Sequence, residues 1–129
     1  MPKLEYFVVA ESATVDQFTN RVSIFNVYDH VVVSKFPKTI SHVVCVCSWN
    51  AKEEDKDQDY QVAVTIRGPD GEHGPFTSNF TVKGRRHRTI LSFEAIQVSK
   101  PGPLVFEITL NGEHKASHVI DIDPAEFDK

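Results

Sequence analysis

The feature that most constrains this chain is a two-residue alternation of apolar and polar side chains. Tyr60, Val62, Val64 and Ile66 alternate with Gln61, Ala63, Thr65 and Arg67, and Phe80 and Val82 alternate with Asn79 and Thr81. Leu104, Phe106, Ile108 and Leu110 form a further apolar row with Glu107 and Thr109 between them, and Ala116, His118, Ile120 and Ile122 read as its partner. A period of two places alternate side chains on one face, which predicts strands with one face in a core and the other in water. No stretch carries a helical period. Turn chemistry falls between the segments, at Thr19-Asn20, Gly68-Pro69-Asp70-Gly71, Gly74-Pro75, Pro101-Gly102-Pro103 and Asn111-Gly112. Short strands at this spacing predict a β-sandwich.

Parity sharpens the reading. A two-residue turn at Asn111-Gly112 would set Ile108 opposite Lys115, an apolar row against a charged one. A three-residue Asn111-Gly112-Glu113 loop instead pairs Ile108 with Ala116 and Phe106 with His118. The same test on Phe80/Val82 and Leu91/Phe93 predicts an even loop centred on Arg86-His87, with Arg85, Arg86, His87 and Arg88 at a hairpin tip. The first half is different. Phe7 to Val9, then Ile24, Phe25 and Val27, then Val31 to Val33 and Val43 to Cys47 are apolar on both faces of any strand, and a single sandwich core covers one face only. Another polypeptide chain or a long loop is expected to cover the other.

Length and charge narrow the function. The chain has 129 residues, the usual size of one domain, which here is expected to span 1–129. Eighteen acidic against fourteen basic residues leave a net charge of −4, against the basic face that nucleic acid requires. Met1-Pro2-Lys3-Leu4 runs at once into Glu5, without the apolar core of a secretory signal, and no run approaches the roughly 20 apolar residues that span a bilayer. The expectation is a cytoplasmic protein with no membrane or nucleic-acid partner. Cys45 and Cys47, one residue apart in a strand, point the same way and are read as buried, reduced thiols.

Each candidate site has a plain alternative. The loop Lys52 to Asp59 holds five carboxylates, which suits a calcium ion, but two lysines intrude and the EF-hand spacing is missing, so a solvated loop is expected. Lys83, Arg85, Arg86 and Arg88 with His87 form the one basic cluster, able to grip a phosphate or an acidic partner, or to be a solvated turn. His30, His42, His73, His87, His114 and His118 show no ligand spacing, and Cys45-Val46-Cys47 has no second cysteine pair, so no metal or other cofactor is expected. His118 reads as a core-edge histidine with a backbone partner, and Trp49 as a core aromatic. No nucleophile elbow, P-loop or dinucleotide fingerprint occurs, so no enzyme is expected.

The run from Ala10-Glu11 through Val15-Asp16, then Val22-Ser23-Ile24-Phe25-Asn26-Val27 and Phe36-Pro37, resembles a family of small uncharacterised bacterial β-sandwich proteins. Pro101 to Glu107 followed by Leu110-Asn111-Gly112-Glu113 fits the same pattern. The resemblance implies a bacterial cytoplasmic protein with an immunoglobulin-like sandwich, and it carries no catalytic residues. Altogether the expectation is an all-β, single-domain, immunoglobulin-like or C2-like antiparallel sandwich of about seven to eight strands. Its expected role is a non-catalytic interaction module, a homodimer or a binder of another protein. Contacts are expected at Phe25, Val27 and Val44 of the N-terminal strands and at Arg85, Arg86 and Arg88. The alternative is a ligand- or cation-binding sandwich using loop 52–59 or the basic tip 83–88.

Overall fold

The alternating segments do become strands. The computed structural model describes residues 1–125. In chain order the strands are β1 (Lys3–Val15), β2 (Val22–Val27), β3 (His30–Val33), β4 (Lys38–Ile40), β5 (Val43–Asn50), β6 (Asp59–Gly68), β7 (Gly71–Thr81), β8 (Arg86–Phe93), β9 (Ile96–Val98), β10 (Gly102–Leu110) and β11 (Glu113–Pro124). A 3-10 turn covers Glu53–Asp55. One sheet has the order β2-β1-β5-β8, the other β3-β11-β10-β6-β7, and β4 pairs with β9 as a separate ribbon. The all-β sandwich is therefore as expected, but with eleven strands, because short segments such as Lys38–Ile40 and Ile96–Val98 form a small sheet of their own. It is also mixed, since β3 runs parallel to β11.

The alternating rows form the core. Val62, Val64 and Ile66 of β6 and Leu104, Phe106, Ile108 and Leu110 of β10 face Val9, Val43, Cys45, Cys47 and Trp49 of the other sheet in one buried cluster. Trp49 is fully buried and stacks on Phe80 at 6.3 Å, and Phe80 stacks in turn on His87 at 4.0 Å. His118 ties the sheets together at the open edge. Val9 N–H donates to His118 Nδ1 at 3.4 Å, and His118 Nε2 bonds the Tyr28 carbonyl. A ring that accepts at Nδ1 must donate at Nε2, so these two bonds define the neutral Nε2–H tautomer. The backbone partner expected for His118 is present twice, on β1 and in the β2–β3 connection.

Two register expectations need correction. Ile108 pairs with Ala116 and Phe106 with His118, as parity requires, yet Leu110 pairs with Glu113 across a two-residue Asn111-Gly112 turn. Both turn residues have positive φ, 50° and 82°, the left-handed pair that matches strand twist. The extra residue is instead a bulge at Lys115, since Thr109 pairs with His114 and Ile108 with Ala116. The second correction is larger. β7 pairs with β6 and β8 pairs with β5, so no hairpin joins β7 to β8. The Lys83-Gly84-Arg85 segment crosses between sheets, and Arg86 and Arg88 lie within β8, opposite Asn50 and Ser48.

The two-faced strands are covered by the chain itself. Val46 and Ala10 have no exposed surface, yet they lie outside the central cluster, on the outward side of β5 and β1. Arg88 of β8 donates to the carbonyl of Asn20, in the turn of the β1–β2 hairpin, at 2.7 Å. Were that ribbon to run straight past Ala10, its tip would lie roughly 30 Å from Arg88 at about 3.3 Å per residue. The ribbon therefore folds back across the outer face of its own sheet. The bend falls at Asn26, whose φ of 56° interrupts β2 between Phe25 and Val27. Beyond it, Ala13, Val22 and Ile24 are half-buried while Ser12, Thr14, Ser23 and Phe25 are exposed.

Candidate functional site

The folded-back ribbon is the most distinctive surface of the domain. At its tip Asp16 Oδ1 accepts from the N–H groups of Phe18 and Thr19 at 2.8 and 3.0 Å. Those bonds hold the Asp16 carboxyl below its ordinary value, the Thr19 N–H contributing most. The turn closes through Asp16 N–H to Arg21 O at 2.9 Å and Asn20 N–H to Asp16 O at 2.8 Å. This ordered turn presents Phe18 with 89% of its surface in solvent. Phe25 and Val27 are about half exposed along β2, at 46% and 49%. Val44 is not on that surface. It is half-buried on the outward side of β5, in a groove shared with Glu11 and Ser12 of the ribbon and Ser92 of β8.

β2 is also an edge, and it differs from the other three. β3 has four residues, β7 is broken by Gly74-Pro75, and β8 carries Arg86 and Arg88. Short edges, proline, bulges and charge each discourage a further strand from pairing. Val22-Ser23-Ile24-Phe25, ahead of the bend at Asn26, has none of these devices. Sequence reading placed Phe25 and Val27 among the contacts. It missed Phe18, for which the available signal was a phenylalanine inside an otherwise polar turn.

The basic cluster does not form a free tip. Arg86 pairs with Glu5, Arg88 binds Asn20, and Lys83 lies 3.4 Å from Asp57. Arg85 is exposed, and its carbonyl accepts from Ala51 N–H at 2.6 Å. The loop 52–59 likewise disperses its carboxylates. Asp55 is 3% exposed and accepts from Lys52 N–H at 2.8 Å and from the Tyr60 hydroxyl at 3.4 Å, so one member of the loop expected to be solvated is an internal brace. The Lys52 N–H is the main cause that lowers the Asp55 pKa. Among the described residues no three acidic, histidine or cysteine side chains converge as metal ligands do.

Cys45 and Cys47 are free, buried thiols facing the core. Desolvation pushes Cys45 far up and Cys47 up to about 11, and Cys47 Sγ donates to the Thr89 carbonyl at 3.6 Å. A thiol of that kind is a poor nucleophile at neutral pH. Sequence reading also missed a cleft at the β7–β8 side of the sandwich, lined by Ile66, Phe76, Phe93 and Ile96 with Asp70 and His73 at its rim.

These features define an all-β sandwich roofed by its own hairpin. The chain belongs to a family of unknown function, DUF6941, whose pattern matches residues 5–123. No curated protein matches it. Among the described residues no helix is long and apolar enough to cross a membrane.

Proposed function

We propose that this chain is a non-catalytic protein–protein interaction module that pairs with a second copy of itself through the edge of β2. The observation that carries the reading is the unguarded edge from Val22 to Phe25, accompanied by the exposed side chains of Phe18, Phe25 and Val27. Unpaired N–H and C=O groups on such an edge accept a further strand, and two antiparallel copies satisfy each other about a two-fold axis. Aromatic side chains beside the edge supply contact area at small entropic cost. An immunoglobulin-like strand arrangement, a bacterial source and a cytoplasmic location belong to the same proposal. The two reduced thiols support that compartment.

Light scattering across a concentration series tests the reading. Dimers are expected in the micromolar range, with Phe25→Lys returning the protein to a monomer that melts as the parent does. A monomeric parent above about 100 μM, well past the affinity of weak dimers, overturns self-association.

A further inference from the structure

A side chain that points between two sheets is normally buried, because the facing sheet supplies its neighbours. Phe76 breaks this rule. Its register opposite Val64 puts it in the same inward row as Phe80, opposite Tyr60, yet 39% of its surface is exposed. Phe93 points inward from β8, opposite Val43, and meets Phe76 edge to face at 5.0 Å. Together with Ile66 and Ile96 they wall a cleft of about 280 Å³. The cause is visible in β7, where Gly74 and Pro75 stand opposite Thr65 alone and carry the strand off its line. Gly74 has φ +105°, and a Cβ there would lie 2.9 Å from Val64 O, so the detour needs glycine.

The rim has one charged anchor. Asp70 Oδ2 accepts the Ser99 N–H at 2.9 Å, and the carboxylate stands exposed beside the cleft. The Ser99 N–H and then the Ser99 side chain hold this carboxyl below its ordinary value, with Lys100 and His73 adding to the effect. His73 lines the cleft, whereas Lys100 is not among its lining residues. A slot walled by Ile66, Phe76, Phe93 and Ile96, with Asp70, His73, Gln97 and Ser99 along it, has the form of a small-ligand site, and 280 Å³ lies just below the usual range.

The geometry points to a binding site for a small aromatic amine, its ring inserted between Phe76 and Ile96 and its ammonium donating to the Asp70 carboxylate. The site lies on β6, β7, β8 and β9 and is independent of pairing at β2.

Titration of the isotope-labelled full chain with tryptamine, indole and indole-3-acetate, followed by amide resonances, tests the assignment. Tryptamine is expected to shift Ile66, His73, Ile96 and Ser99 saturably, with indole weaker by about tenfold through loss of one charged hydrogen bond. Asp70→Asn keeps an oxygen for Ser99 and should bring tryptamine down to the affinity of indole. Ala95→Trp at the rim should abolish the shifts while leaving the remaining spectrum in place, and Gln97→Trp serves if that variant fails to fold. No saturable shift at these amides up to about 10 mM overturns the site, since fragment-sized ligands bind in the millimolar range. Undiminished shifts in a folded Trp variant also overturn it. Equal binding of indole-3-acetate and tryptamine overturns the role given to Asp70.

Discussion

Arg88, on one edge strand, reaches the carbonyl of Asn20, in a hairpin rooted on the opposite side of the same sheet. Its two contacts, Nη2 to Asn20 O at 2.7 Å and Nη1 to Asn20 Oδ1 at 3.4 Å, latch the β1–β2 ribbon over β5. Arg88→Ala should therefore loosen residues 12–25 ahead of the rest. Hydrogen exchange should accelerate there first, and the melt should record a loss of about 1–2 kcal/mol. Uniform exchange across the sheet would show that the ribbon does not open as a unit.

Val46 lies beneath that ribbon with no exposed surface. Val46→Ala should cost about 1–3 kcal/mol, a core-sized penalty, although the residue sits on the face turned away from the other sheet. Chemical denaturation measures this directly. A loss below about 0.5 kcal/mol would match an exposed position and contradict the roof.

The thiols set an alkaline limit. Burial raises both folded pKa values above the ordinary 9.0, Cys47 to about 11. The neutral form is then favoured by folding, so the stability is complete below pH 9 and is lost as the pH rises from about 9 toward 11. For Cys47 alone the loss approaches about 3 kcal/mol. Melting curves between pH 7 and 11 should fall over this window, and Cys47→Ala should flatten the fall. At neutral pH both thiols should react with a thiol reagent no faster than the fold opens.

Asp55 works in the opposite direction. Its carboxyl is held below the ordinary 3.8, chiefly by the Lys52 N–H, so its contribution is present above that value and disappears as the pH falls through the lowered one. Asp55→Ala should lower the melting temperature at pH 7 and remove part of the acid transition. An unchanged melt would show that the 3-10 turn at Glu53–Asp55 does not need its brace.

Much of this architecture can be read from the residues, and the failures have physical causes. The rows of β6, β10 and β11 are legible because every second residue facing inward is apolar or nearly so, even though Val105 and Val119 are apolar on the outward face. The bulge at Lys115 is not, because a parity mismatch says that one residue is extra without saying where it sits. Pairing β7 with β8 satisfies parity equally well and is still wrong, since parity cannot distinguish a hairpin from a crossover at Gly84. The doubly apolar β5 correctly announces a cover. The cover's identity depends on the left-handed backbone at Asn26, which asparagine permits and no sequence pattern dictates. Phe25 and Val27 are exposed along β2, as a contact role requires, whereas the cleft at Phe76 is not legible, because it arises from a detour in β7 and not from side-chain type.

The ribbon that roofs Val46 and Ala10 is joined to the rest of the chain through a single bend near Asn26. Every contact that holds it, from Ile24 to the Arg88 latch, is indifferent to which molecule supplies it. At high concentration a detached ribbon finds the same seat on a neighbour as on its own sheet, and two copies that exchange ribbons recover all of these contacts in both seats. Association by exchange then needs no new complementary surface. Were pairs to form in this way, their rate would be set by how often the hinge opens, and the Arg88–Asn20 latch would govern it.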